Sequence, residues 1–184
     1  MIDFNQKAKE IYEQNKAVGW WDDPDRCKYQ TLQLVSTEIS EATEGERKSL
    51  MDDHLPHRKM GEVELADALI RILDMGGAYG WEYLHPDSDT ISEMKFIFKR
   101  MSGSVAGLHL GINMSIAALG VNLVYDAAGE KINELYSVVI YFIEKTAEHM
   151  KYDIEQALLE KLEYNKHRAD HKRENRAKPG GKSF

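Results

Sequence analysis

The sequence predicts an all-α bundle of about five to six helices, and three observations lead there. Only 4 prolines occur in 184 residues, and long stretches rich in Ala, Leu, Glu, Lys and Met run without a breaker. Apolar residues recur at helical spacing, most clearly at Ile132, Leu135, Tyr136, Val139, Ile140 and Ile143. No alternating strand pattern, glycine-rich phosphate loop or internal repeat competes with that reading. An apolar fraction of 42% and a charged fraction of 30% suit a soluble globular chain, and the length suits one domain. We place that domain at residues 1–168 and a basic tail at 169–184.

In chain order, a first helix is expected from Asp3 to Ala17, with Phe4, Ala8, Ile11 and Tyr12 as its apolar stripe. The turn Gly19-Trp20-Trp21-Asp22-Asp23-Pro24 follows. Adjacent residues do not share a helix face, so one tryptophan can pack inward and leave the other to a ligand; the alternative is that both cap the core. A second helix is expected from Cys27 to Arg47, a polar connection broken by Pro56, and a third helix from Lys59 to Tyr79. The third is apolar nearly all round, apart from one stripe of Glu64, Asp67, Arg71 and Asp74. That stripe requires water or a lined cavity. Gly76, Gly77 and Gly80 are expected to loosen its end before a loop from Trp81 to Asp89. One long helix or a helix pair then spans Thr90 to Leu123, another helix Glu130 to His149, and a last one Lys151 to His167.

Composition also excludes classes. A net charge of −7 argues against a protein that coats nucleic acid. Cys27 is the single cysteine, so no internal disulfide exists, and a reducing cytoplasm is expected. The N-terminal residues lack the pattern of a signal peptide. The segment from Ser102 to Val124 is long and apolar enough for a membrane, but His109, Asn113 and Asn122 interrupt it, so no membrane partner is expected. Its Gly103, Gly107 and Gly111 form a stripe for close helix approach, in the core or at a dimer seam. From Lys161 onward basic residues outnumber acidic ones.

The chemistry sits between Glu38 and Asp67. Glu38 and Glu41 are three residues apart, as are Glu64 and Asp67, so each pair shares a helix face. Both pairs lie in apolar sequence, and four facing carboxylates repel unless a cation lies between them. Such all-oxygen ligation suits Mg²⁺, with Mn²⁺ as a substitute, and an acidic body with a basic end suits a metal-bound polyphosphate gripped from two sides.

The run Leu34-Val35-Ser36-Thr37-Glu38-Ile39-Ser40-Glu41-Ala42, followed by Glu62 to Leu73, resembles the MazG-like family of all-α nucleoside triphosphate pyrophosphohydrolases. Its signature is a Glu-x-x-Glu and a Glu-x-x-Asp with a variable connection. Lys161, Asn165 and Arg168 resemble the family's nucleotide-binding helix, and Gly180-Gly181-Lys182 its basic tail. The resemblance implies a homodimer or homotetramer and Mg²⁺-dependent cleavage of a (deoxy)nucleoside triphosphate between the α- and β-phosphates. Glu38, Glu41, Glu64 and Asp67 are then the metal ligands, with Glu38 or Glu41 orienting or deprotonating the attacking water. Lys161, Asn165, Arg168 and Lys182 bind substrate.

From chemistry alone, Trp20 and Trp21 are candidates for a wall under the base, and Arg58 for a phosphate contact. One departure stands out: many members carry two adjacent glutamates in the first motif, and here Thr37 precedes Glu38. Two other readings compete. One is a non-catalytic helical interaction module. The other is a di-iron carboxylate bundle, for which only Glu82 and His85 supply a Glu-x-x-His spacing.

Overall fold

The computed structural model describes residues 2–168 and contains seven α-helices in that span. They are α1 (Phe4–Ala17), α2 (Lys28–Lys48), α3 (Met60–Tyr79), α4 (Ser88–Met101), α5 (Val105–Val124), α6 (Glu130–Met150) and α7 (Ile154–His167). No named strand is present among the described residues; an isolated bridge joins Met51 to Lys59 in the α2–α3 connection. The all-α expectation holds, with one or two more helices than foreseen.

The added helices have local causes. Ser104 caps α5 by accepting from the Gly107 amide, which divides the 90–123 stretch into a pair. Asp87 likewise accepts from the Thr90 amide, so α4 begins at Ser88 and shortens the expected loop. Lys151 does not open the last helix. It ends α6 with φ 60°, and α7 starts only after Asp153 accepts from the Gln156 amide.

α3 is the axis of the bundle. It packs against α1, α2, α6 and α7, while α5 packs against α2, α4 and α6. Val63, Leu65, Leu69, Ile72 and Leu73 on α3 are fully buried, each burial stabilising by about 1.5–3 kcal/mol. Gly80 ends it with φ 68°, but Gly76 and Gly77 do the opposite of loosening it. A Cβ on Gly76 would lie 2.3 Å from the Tyr136 hydroxyl oxygen, and one on Gly77 would lie 2.4 Å from the Ala8 carbonyl. These two positions let α6 and α1 approach the α3 backbone.

α2 and α3 run antiparallel: Gly45 meets Met60 and Gly61 near their connection, whereas Glu38 meets Arg71 farther along. The hairpin therefore brings the two acidic motifs side by side. The Gly103, Gly107 and Gly111 stripe is not continuous. Gly103 is exposed in the turn before α5, whereas Gly107 lies against the Met101 carbonyl and Gly111 against Met101 Sδ and Phe142, in the α4–α5–α6 packing. The outward face of α5 is instead Leu110, Met114, Ala117, Ala118 and Val121.

Candidate metal centre

Helical spacing on antiparallel α2 and α3 aims Glu38, Glu41 and Glu64 at one point. One carboxylate oxygen from each lies within 4.8 Å of the others. Glu38 and Glu64 are buried and Glu41 is exposed, so the group opens to solvent along one edge. Two unit charges at about 4 Å repel by about 4 kcal/mol at an effective dielectric of about 20, which is too much to leave uncompensated. Burial, then the charges of Asp67 and Glu38, push the Glu64 carboxyl up to about 9; Lys161 pulls against that shift and Glu41 adds to it. Without a cation, Glu64 keeps its proton at neutral pH.

Asp67 stands one turn along α3, and α7 supplies its partner. Lys161 Nζ lies 2.8 Å from Asp67 Oδ2, and its side chain is only 3% exposed. Burial raises the Asp67 carboxyl, with Lys161 opposing. Burial also acts to lower Lys161, but the charge and hydrogen bond of Asp67, with Asp52 behind, hold it above its ordinary value. Arg71 Nε donates to Glu38 Oε1.

These groups line a cleft of about 400 Å³ together with Asn15, Trp20, Arg26, Leu34, Thr37, His54, Ile70, Asp74, Asn165 and Arg168. The two tryptophans of the turn divide as their adjacency allows. Trp20 lines the cleft, whereas Trp21 Nε1 donates to both Asp74 oxygens at 3.1 and 3.2 Å, and its ring meets Tyr12 and Tyr79 edge-on. Burial raises Asp74 to about 6, against the hydrogen bonds from Trp21 and Asn15. Asn165 Oδ1 is buried without a hydrogen-bond partner in the cleft wall. Arg168 lies over the Tyr164 ring. Thr37 borders the cleft with its hydroxyl donating to the Gln33 carbonyl at 3.2 Å.

Arg58 is the candidate that the structure places elsewhere. It donates to Glu62 at 2.8 Å and to both oxygens of Glu160 at 2.8 and 3.0 Å, tying the start of α3 to α7 outside the cleft. Lys182 and the Gly180-Gly181-Lys182 tail lie outside the described residues. Glu82 and His85 fall in the α3–α4 connection, and the metal-competent cluster among the described residues contains no histidine, so the di-iron ligand set is not assembled.

Arg71 and Asp74 join the cleft because they continue the α3 stripe, a signal present in the sequence. Asn15, Arg26 and His54 come from α1, the following turn and the α2–α3 connection, where nothing local marks them. The donor set is entirely carboxylate oxygen, and burial with the neighbouring Asp67 and Glu38 charges raises the Glu64 carboxyl. Such a donor set has the chemistry to take a hard divalent cation, which Glu38, Glu41 and Glu64 would hold with Asp67 adjacent. No protein-family model, curated protein or solved structure matches the chain.

Proposed function

We propose that this cleft is the active site of a Mg²⁺-dependent pyrophosphohydrolase of the MazG-like type. It would cleave a (deoxy)nucleoside triphosphate between the α- and β-phosphates, releasing the monophosphate and pyrophosphate. The observation that carries this reading is the convergence of Glu38, Glu41 and Glu64 in a cleft whose other wall holds Lys161, Asn165 and Arg168. A bound cation, with Mn²⁺ as substitute, would neutralise charge on the triphosphate and lower the pKa of water.

The chain's own residues supply the rest. Water adds at phosphorus, the bond to the bridging oxygen breaks, and pyrophosphate leaves with that oxygen. One proton must go to a base. Glu41 is the exposed member of the acidic group and is assigned that role; Thr37 is excluded because a neutral hydroxyl is not a base near neutral pH. Arg168 binds phosphate oxygens, and Asn165 hydrogen-bonds to sugar or phosphate. Lys161 acts mainly through Asp67, which it fixes in place. Trp20 offers the base a face to stack on.

The outward face of α5 supports self-association. Leu110, Met114 and Val121 are 51–55% exposed on a 20-residue helix with no charged side chain, Tyr125 just after it is 81% exposed, and Ala117 and Ala118 allow close approach at its middle. α5 is also the one described helix long and apolar enough to cross a membrane, with 44% of that window buried. A homodimer through this face covers the stripe without lipid.

The test is pyrophosphate release from the eight common nucleotides with Mg²⁺, comparing wild type with Glu41→Gln. Release by wild type and its loss in the variant are expected. No release from any nucleotide defeats the enzyme reading, and equal release by the variant defeats the role of Glu41.

A further inference from the structure

Arg71 lines the cleft on the same helix as Glu64 and Asp67, and the mechanism above gives it no task. It sits on α3 one turn beyond Asp67, and its guanidinium is bonded to Glu38. Burial raises the Asp67 and Asp74 carboxyls, and the charge of Arg71 is among those that pull them back, while its bonded partner is Glu38. The two ion pairs of the cleft differ in access. Lys161 is sealed against Asp67 with its side chain 3% exposed, whereas that of Arg71 is 36% exposed.

In the ion-free cleft, Arg71 provides the positive charge that Glu38 needs beside Glu41 and Glu64. A divalent cation on those carboxylates competes for the same anion, and two positive groups on one carboxylate repel. The guanidinium does not escape by losing a proton, and its planar fork of donors matches phosphate oxygens. We infer that Arg71 is a substrate-binding residue that changes partner, from Glu38 in the ion-free cleft to the triphosphate oxygens once a cation occupies the carboxylates. The inference rests on the pyrophosphohydrolase reading and adds a coupling to it: cation binding releases the side chain that grips the substrate.

Two measurements of opposite sign test it, both without turnover. The first is Mn²⁺ titration of nucleotide-free protein, followed by electron paramagnetic resonance. The second is calorimetry with a triphosphate analogue carrying a methylene bridge between the α- and β-phosphates, in Mg²⁺. Arg71→Gln should bind Mn²⁺ several-fold more tightly than wild type and the analogue about ten-fold or more weakly. Arg71→Lys should keep Mn²⁺ affinity near wild type and recover only part of the analogue affinity, because it keeps the charge but not the fork. Unchanged or weakened Mn²⁺ binding in Arg71→Gln, or unchanged analogue affinity, overturns the exchange and leaves the enzyme reading standing. Wild type that binds no Mn²⁺, or binds it equally after Glu41→Gln, overturns both. If Arg71→Gln does not fold, analogue affinity of Arg71→Lys equal to wild type overturns the exchange.

Discussion

The half of the molecule built from α2, α3 and α7 takes charge into its interior, whereas α5 leaves apolar side chains in solvent. Glu38, Glu64, Asp74 and Lys161 are buried; Leu110, Met114, Val121, Val124 and Tyr125 are exposed. Each region departs from the inside–outside rule in the opposite direction, and each departure costs stability in the isolated chain. On the proposed reading the cost would be relieved by different things: a cation and an anionic substrate in the cleft, a second apolar surface on α5. On that proposal chemistry and assembly lie on separate faces.

The largest expected effect breaks the cleft alone. Glu64→Gln or Glu41→Gln should lower Mg²⁺-dependent pyrophosphate release by about 10²–10⁴-fold, the usual weight of a positioned acid–base or ligand group, while sedimentation stays as in wild type. The converse change, Leu110→Lys with Met114→Lys, should shift the sedimenting species to monomer. Mn²⁺ affinity of the nucleotide-free protein should not move, since neither residue lines the cleft. Loss of Mn²⁺ binding in that variant would mean that the two faces are not separate.

A pH series sharpens the same contrast. Glu64 is raised to about 9 and Asp74 to about 6, from ordinary values of 4.5 and 3.8, so the folded cation-free protein holds protons that the unfolded chain has released. The stability these groups contribute is complete below the unfolded values and is lost as pH rises through the folded ones. Melting temperature in chelator should therefore fall between about pH 5 and pH 9. Asp74→Asn should remove the lower part of that fall and stabilise the protein at neutral pH by on the order of 1–3 kcal/mol, since one pKa unit is about 1.4 kcal/mol. A flat profile would contradict the buried-carboxyl account.

The smallest effect separates scaffold from site. Arg58→Ala should destabilise by on the order of 1–3 kcal/mol by leaving Glu62 and Glu160 without their charged donor. Hydrogen bonds from Arg58, and lesser ones from Gln156 and His57, hold the Glu160 carboxyl down to about 2. Turnover per folded molecule should stay within about two-fold of wild type, because loss of this pair leaves the cleft lining intact. A large fall in turnover with unchanged melting would return Arg58 to the substrate.

Most of the fold was legible because α1, α2, α3 and α6 carry clear apolar periods and good helix formers. The 90–123 stretch was left open between one helix and a pair, and the late start of α7 was missed, because single capping residues, Ser104 and Asp153, decide both. The carboxylates were legible from three-residue spacing, which places side chains on one helix face wherever the helix lies. Their partners were not. That Lys161 is sealed onto Asp67, that Arg58 belongs to Glu160, and that Trp21 turns to Asp74 all depend on tertiary packing of distant segments. The glycines at 76 and 77 show the same limit, since local propensity read as a weak helix end what packing uses as close contact.

The central claim is that Glu38, Glu41 and Glu64 form a cation site and not merely a strained acidic patch. It is tested most directly by melting wild type and Glu64→Gln in chelator and in Mn²⁺ at neutral pH. The account predicts that Glu64→Gln is the more stable of the two in chelator, that Mn²⁺ raises the melting temperature of wild type, and that the variant has lost that rise. A variant less stable than wild type in chelator, with Mn²⁺ leaving both melts unchanged, would contradict it.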